Sequence, residues 1–232
     1  MTPVDPRIEP LLLQMRKDPS LPKEAEASIR QAISESPYLS NLLGNAIEKG
    51  QIGAIAVSHD KNNAGHFQDG KDGKAGTLNI SGSLFQDWQG RARIDHLTEV
   101  LGHETMHGVL AEHRANALAE FGRTMGEKMQ DAHSQRESQV DLTEPTRAYL
   151  DKTRQDEALA EISALRALNS RIKHENPGVS AEDAEGMLLD RSVTRCVDKH
   201  VTPPAFARGL SYEALTTHDQ ARGCLLYTSD AA

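Results

Sequence analysis

The amino-acid sequence predicts an α+β fold that is mostly helical and contains a small antiparallel or mixed sheet. Over most of the chain, apolar residues recur every three or four positions, which is the spacing of amphipathic helices. Residues 52–57 and 77–81 differ, because the first is a short β-branched run and the second alternates apolar and polar side chains. The length of 232 residues suits one domain with a sizeable core, which we place at residues 1–223.

Two helices are predicted before the sheet. Residues 1–21 are rich in proline and are expected to be irregular, although they carry an apolar patch at 11–13. Residues 23–36 and 38–49 have apolar side chains at helical spacing, and Gly50 is a natural end for the second helix.

The predicted sheet contains a few short strands. The apolar run 52–57 is typical of a buried strand, and the alternating residues 77–81 are typical of a half-buried one. Residues 66–68 precede a turn of aspartate, glycine and lysine, so we expect them to pair with 77–81 as a hairpin. The β part of the fold is therefore expected between residues 52 and 81.

From about Arg91 onward the chain is predicted to be mostly helical. Residues 94–110 have one apolar face, whereas 111–140 are highly charged and predict a helix exposed to solvent. Pro145 lies near the start of a further helix, which extends to about Ile172 and is apolar in its second half. Two apolar helical stretches therefore flank a charged one.

The last nine residues, 224–232, are expected to have a separate origin. They resemble the translation of a transposase-type sequencing adapter that was read through in frame. We therefore expect the natural sequence in this chain to stop near Gly223. A longer clone of the same gene should continue past Gly223 with unrelated residues. Cys196 then remains as the one natural cysteine, which excludes an intrachain disulfide.

The composition argues against several classes of partner. A net charge of −8 and an aromatic content of 4% disfavour a nucleic-acid interface. Apolar runs stay far below 18 residues, so no membrane span is predicted. The first residues lack a basic segment followed by an apolar core, so no Sec-type signal peptide is predicted. The expected location is the bacterial cytoplasm, or outside the cell after export by a Sec-independent route.

Residues suited to chemistry are concentrated in the pentapeptide His103-Glu104-Thr105-Met106-His107. On a helix, His103 and His107 lie on one face, so both imidazoles can bind one metal ion. Glu104 lies about 100° further round the helix, where its carboxylate can reach a metal-activated water without binding the metal. The pattern predicts a catalytic metal centre on this helix.

The segment resembles the active-site helix of the zincin metallopeptidases, whose motif is His-Glu-x-x-His. The match is strict over the pentapeptide and loose over roughly residues 50–170. The resemblance implies one zinc ion bound by His103 and His107, with Glu104 as the general base. It also implies that the motif helix packs beneath a small sheet whose edge strand holds the substrate backbone.

A third protein ligand is needed, and we favour Glu157. It lies on a separate predicted helix whose neighbouring positions are apolar enough to pack inside the protein. Its pattern, Glu-x-x-Ala-acid, resembles the gluzincin branch of the zincins. That resemblance implies that Glu157 binds zinc and that Glu161 supports a motif histidine by accepting a hydrogen bond from its free ring nitrogen.

Other residues stay open as alternatives. Glu127 also has gluzincin-like spacing, but its helix is charged all round. His113 has the spacing of the metzincin branch, although Leu110 occupies the position where that branch has a glycine for a sharp turn. The gluzincin resemblance further suggests His200 or Tyr212 as the group that holds the oxyanion of the tetrahedral intermediate.

These residues predict zinc-dependent hydrolysis of a peptide or amide bond, with a peptide or protein as the substrate. Two other functions stay open. One is a secreted antibacterial effector toxin that acts on peptidoglycan or on target-cell proteins, with an immunity protein or a secretion adaptor as its partner. The other is a zinc-stabilised interaction domain without catalytic activity.

Overall fold

The computed structural model describes residues 3–60 and 62–216, and within them it confirms a mostly helical α+β fold. The adapter-like segment 224–232 and the expected end near Gly223 lie outside the described residues. The helices are α1 (Glu9–Met15), α2 (Ala25–Ser34), α3 (Pro37–Glu48), α4 (Leu84–Asp87), α5 (Gly90–Val109), α6 (Ala111–Gln135), α7 (Thr143–Glu175), α8 (Ala181–Arg191) and α9 (Tyr212–Thr216). The strands are β1 (Ile52–Ser58), β2 (Gly65–Gln68), β3 (Gly76–Ser81), β4 (Val197–Asp198) and β5 (Ala205–Phe206).

Helix α1 corrects the expectation that residues 1–21 are irregular. Pro10 lies in the first turn of this helix, where its missing N–H leaves no helical hydrogen bond unmade. Leu11, Leu12 and Met15 are buried in the main hydrophobic core. Packing of this apolar patch therefore stabilises a helix that is too short to be stable in isolation.

The three-stranded sheet is mixed, with β3 between β1 and β2. Strand β2 is antiparallel to β3 and places Phe67 opposite Leu78, which confirms the predicted hairpin. Strand β1 is parallel to β3, because the chain reverses direction twice between them. This order leaves β2 at the edge of the sheet, beside α5.

Close packing of α5 on α7 positions the site described below, and Gly102 permits it. A Cβ atom at residue 102 would lie 2.9 Å from Cβ of Ala167 and 3.0 Å from the carbonyl oxygen of Ser163. The main core packs α5 against α1–α3 and the sheet, and a second core packs α7 against α8, α9 and the β4–β5 pair. The α5–α7 contact therefore joins the two cores.

Helix α6 is largely exposed, as its charge predicts, and its buried residues are Ala117 and Ala132. Helix α5 ends and α6 begins at Leu110, so the two are separate helices. It packs along the first half of α7, where the rings of Phe121 and Tyr149 stack with centroids 5.0 Å apart. Among the helices of the described residues, none combines the length and apolarity needed to cross a membrane.

A buried cluster of charged residues joins four helical elements. Arg171 on α7 is 1% exposed and pairs with Asp95 on α5 and, at 2.9 Å, with Glu35 at the end of α2. Arg191 on α8 donates from Nε to Oδ2 of Asp95 at 2.9 Å and pairs with Glu175 at 2.8 Å. These contacts cross-link distant parts of the chain inside the protein.

Candidate metal centre

Two histidines of α5 face the same cleft. His103 and His107 are one helical turn apart, and their Nε2 atoms lie 3.0 Å from each other. Both side chains are 18% exposed, so one edge of each ring is open to the cleft while the rest is packed. The helix spacing predicted from the sequence therefore brings the two rings together.

Glu157 of α7 completes a three-residue group. Its Oε1 lies 3.6 Å from Nε2 of His103, and its Oε2 lies 3.4 Å from Nε2 of His107. A tetrahedral zinc ion with bonds of roughly 2.0–2.1 Å separates its ligand atoms by about 3.3 Å. The distance between the ring nitrogens and the shorter distance from each ring to a Glu157 oxygen are close to this value, and one ligand atom from each residue lies within 4.8 Å of the other two. These three side chains could therefore hold one metal ion.

The protonation states also suit metal binding. The pKa of His103 is lowered to about 4, chiefly by burial and to a smaller extent by the neighbouring His107. The hydrogen bond with His107 is the main cause that holds the pKa of Glu157 below its usual value. At neutral pH, His103 is therefore neutral and Glu157 is ionised, which are the forms that bind zinc.

Glu104 lies beside this group and is buried. Burial raises the pKa of its carboxyl group to about 7, whereas nearby His107 and a hydrogen bond from the backbone N–H of Phe67 act in the opposite direction. Glu104 is not one of the three converging residues. Its position and its raised pKa suit a group that accepts and returns a proton near neutral pH.

Strand β2 lies against α5 because residue 65 is a glycine. A Cβ atom there would lie 2.6 Å from Cγ1 of Val100 and 3.2 Å from Cγ of Glu104. Because the strand lies so close, the backbone N–H of Phe67, two residues further along, donates a hydrogen bond to the Glu104 carboxylate. The sheet edge therefore forms one wall of the site.

The four residues line a cavity of about 570 Å³. Strand β2 and α5 form one side, and α7 with the loop after α8 forms the other. Arg114 stands at one end, where its Nη1 donates to the carbonyl oxygen of His107 at 2.6 Å and its Nη2 pairs with Asp69 at 3.0 Å. Arg195 stands at the other side, with 84% of its side chain exposed. The cleft is large enough for several residues of a peptide.

The structure does not bring the two alternative third ligands to the histidines. Glu127 is exposed on α6 and forms an ion pair with Arg123 at 2.7 Å. His113 belongs to α6 rather than α5, and its Nδ1 lies 2.9 Å from Oδ1 of Asp156, which is buried. Neither alternative lies beside the two histidines, because α6 is a separate helix that brings His113 to Asp156 and carries Glu127 on an exposed surface.

Glu161 lies one turn beyond Glu157 on α7, and Nε of Arg195 is 3.6 Å from its carboxylate. Burial raises the pKa of Glu161, while Arg195 acts in the opposite direction. The support of a motif histidine by Glu161 stays a prediction, since the polar contact described for this carboxylate is with the guanidinium.

Neither residue suggested for holding the oxyanion lines the cleft. The hydroxyl group of Tyr212 is buried in the second core and donates to Oδ1 of Asn169 at 3.0 Å. His200 is exposed beyond β4, and its backbone N–H donates to Asp198. Both suggestions are wrong for this conformation, because the chain after α8 packs these residues against other parts of the molecule.

Several residues of the cleft were not predicted from the sequence. Glu99 could have been found, because it precedes His103 by four residues and so lies on the same helix face. Arg114, Asp156 and Arg195 reach the cleft through long-range packing, for which spacing along the chain gives no signal.

No known family model, curated protein or solved structure matches this chain. Any inference about what the protein does therefore comes from the geometry and chemistry of the cleft itself.

Proposed function

We propose that this protein is a zinc-dependent peptidase. The observation that carries the proposal is the convergence of His103, His107 and Glu157 in one open cleft, with buried Glu104 beside them. Two imidazoles and one carboxylate are a donor set found in catalytic zinc sites, and three protein ligands leave a position free for chemistry. Zinc bound there supplies Lewis acidity, which acidifies water and polarises a carbonyl group.

Glu104 supplies the proton transfers in this proposal. Its ionised carboxylate takes a proton from the attacking water and returns it to the nitrogen of the leaving amine. Its raised pKa supports this role, because a base whose pKa lies near the working pH can both accept and release the proton. The Phe67 N–H orients the carboxylate, so the sheet edge also holds the base in position.

The substrate class follows from the walls of the cleft. Strand β2 pairs with β3 through one edge, and its other side borders the cavity. An extended peptide can bind such a strand edge through backbone hydrogen bonds, which do not depend on its side chains. A peptide or an unfolded protein segment is therefore the substrate that best fits the site.

The test is the substitution Glu104→Gln, which keeps the shape of the side chain but removes the base. We expect cleavage of a mixed peptide library, followed by mass spectrometry, to fall by about 10²-fold or more, with one zinc ion per chain retained. Glu127→Gln is the matched control, because Glu127 is exposed on α6, and it should cleave like the wild type. Cleavage at the wild-type rate by Glu104→Gln, or stoichiometric zinc without any cleavage by the wild type, contradicts the proposal.

A further inference from the structure

Glu99 is a buried carboxyl group in the wall of the proposed active-site cleft. It lies on α5 one turn before His103 and is 2% exposed. Its Oε2 accepts a hydrogen bond from the backbone N–H of Val193 at 3.1 Å, whereas its Oε1 has no hydrogen-bond partner among the described residues. Buried polar atoms in native proteins are nearly always satisfied, so this oxygen calls for a ligand.

The surroundings of Glu99 favour a cation. The pKa of Glu99 is raised to about 8, chiefly by burial and to a smaller extent by the nearby carboxylates of Asp95 and Glu161, against the hydrogen bonds from Ser192 and Val193. Asp95 already pairs with two buried arginines, Arg171 and Arg191. Glu99 therefore lies near two other carboxylates, and among the described residues it forms no ion pair that would balance its own charge.

Apolar side chains line the cavity together with Glu99. Ala164 on α7 and Val193 after α8 are among these residues, and the backbone N–H of Val193 contacts Glu99 directly. His96 also lines the cavity, and its Nδ1 is, like Oε1 of Glu99, a buried polar atom without a hydrogen-bond partner among the described residues. Burial lowers the pKa of His96 to about 4, so its imidazole is neutral and can offer an acceptor nitrogen.

We propose that this recess, formed by Glu99, His96, Ala164 and Val193, binds the ammonium side chain of a lysine-like residue next to the scissile bond. The proposal rests on the peptidase function. Four residues of helix separate Glu99 from His103 by about 6 Å along the axis, which is one extended side chain from the metal group. A lysine has a flexible four-carbon stem and a compact charge, so it suits a recess that ends at the Glu99 carboxyl group, which loses its proton when an ammonium group binds beside it.

The binding experiment uses two short capped peptides that differ only in lysine against norleucine, which has the same alkyl stem without the ammonium group. Their affinities are measured by calorimetry on the zinc-loaded Glu104→Gln variant, which binds without cleaving. We expect the lysine peptide to bind at least about tenfold more tightly. Equal affinities, tighter binding of norleucine, or no measurable binding of either peptide overturns the assignment of the recess.

A second substitution in the same variant tests whether Glu99, rather than another charged group, causes the preference for lysine. Glu99→Gln keeps the size of the side chain, and Glu99→Leu also removes its polarity; thermal unfolding and zinc content verify that both variants fold. Glu99→Gln should bind the lysine and norleucine peptides equally well, and Glu99→Leu should bind the norleucine peptide more tightly. Persistence of the preference in both variants overturns the role of Glu99.

The two experiments distinguish a failure of the lysine-binding proposal from a failure of the peptidase proposal. A lysine preference in binding without any Glu104-dependent cleavage contradicts the peptidase but supports the recess as a lysine site. Glu104-dependent cleavage of library peptides without a preference for lysine beside the cut bond contradicts the recess alone.

Discussion

At the scale of single residues, burial sets the charge of the groups in the cleft. His103 and Glu104 are neighbours on α5, and burial shifts both toward their neutral forms, to pKa values of about 4 and about 7. Glu157 is more exposed, and its hydrogen bond with His107 keeps it ionised. One helix turn therefore presents a neutral imidazole for ligation and a carboxyl group that exchanges a proton near neutral pH.

The pKa of Glu99 makes a prediction about the pH dependence of stability. An unfolded glutamate ionises near 4.5, whereas folded Glu99 keeps its proton up to about 8. The native state therefore binds more protons than the unfolded state in this window, so the contribution of Glu99 to stability falls as pH rises. Glu99→Gln removes this titration.

The measurement is urea unfolding of the metal-free wild type and Glu99→Gln at several pH values from 5 to 8. The unfolding free energy of the variant minus that of the wild type should increase by more than about 1 kcal/mol between pH 5 and pH 8. Titration of the neighbouring Asp95 and Glu161 affects both proteins and is largely removed in the difference. A difference that does not change with pH contradicts the account of Glu99.

At the scale of secondary-structure elements, the approach of α7 to α5 decides whether Glu157 reaches the histidines. Gly102 precedes His103 directly, and its missing side chain allows contact with Ala167 and the Ser163 carbonyl oxygen. A side chain here separates the two helices at the level of the metal centre. The motif on α5 alone is therefore insufficient without this contact.

Gly102→Ala should weaken both the fold and zinc binding. Overpacking at this contact is expected to cost about 1–3 kcal/mol of unfolding free energy and to lower zinc affinity, because Glu157 moves away from the histidines. Gly122→Ala is the matched control on exposed α6, where a Cβ atom meets nothing within 4 Å. It should stabilise the protein by up to about 1 kcal/mol through helix propensity. Equal effects of the two substitutions on zinc affinity contradict this role of Gly102.

The elements that could be predicted from the sequence are those with a local signal. The helical spacing of His103 and His107, the alternation in β3, and the exposed face of α6 all depend on nearby residues and agree with the structure. The choice of Glu157 combined an apolar helix pattern with a resemblance, and the structure places this residue beside the histidines.

The features that could not be predicted depend on packing between distant segments. Helix α1 is stabilised by the core, β1 is parallel to β3 because of the path between them, and α5 ends at Leu110 without a glycine. Likewise, Tyr212 packs in the second core rather than in the cleft, since the segment that carries it folds against α7. Local patterns contain no information on these contacts.

At the scale of the whole molecule, the buried charge cluster connects the N-terminal helices to α7 and α8. Asp95 is 4% exposed and accepts from both Arg171 and Arg191, which come from helices far along the chain. Removal of one partner from a buried ion pair leaves an uncompensated charge, which costs more than the pair itself contributes. The cluster therefore makes the two halves of the protein depend on each other.

Asp95→Asn should destabilise the protein by about 3 kcal/mol, because two buried guanidinium groups lose their shared carboxylate. Chemical denaturation followed by circular dichroism measures this effect and should show one cooperative transition at a lower midpoint. Arg123→Met breaks the exposed pair with Glu127 and serves as the control, with an unchanged midpoint. A wild-type midpoint for Asp95→Asn contradicts the structural role of the cluster.

The most direct test of the central claim is zinc titration against a competing chelator for the wild type, Glu157→Gln and Glu127→Gln. The claim is that His103, His107 and Glu157 form one zinc site. We expect the wild type to bind one zinc ion per chain, Glu157→Gln to bind it about 100-fold or more weakly, and Glu127→Gln to match the wild type. Wild-type affinity in Glu157→Gln, or a loss of affinity confined to Glu127→Gln, would contradict the claim.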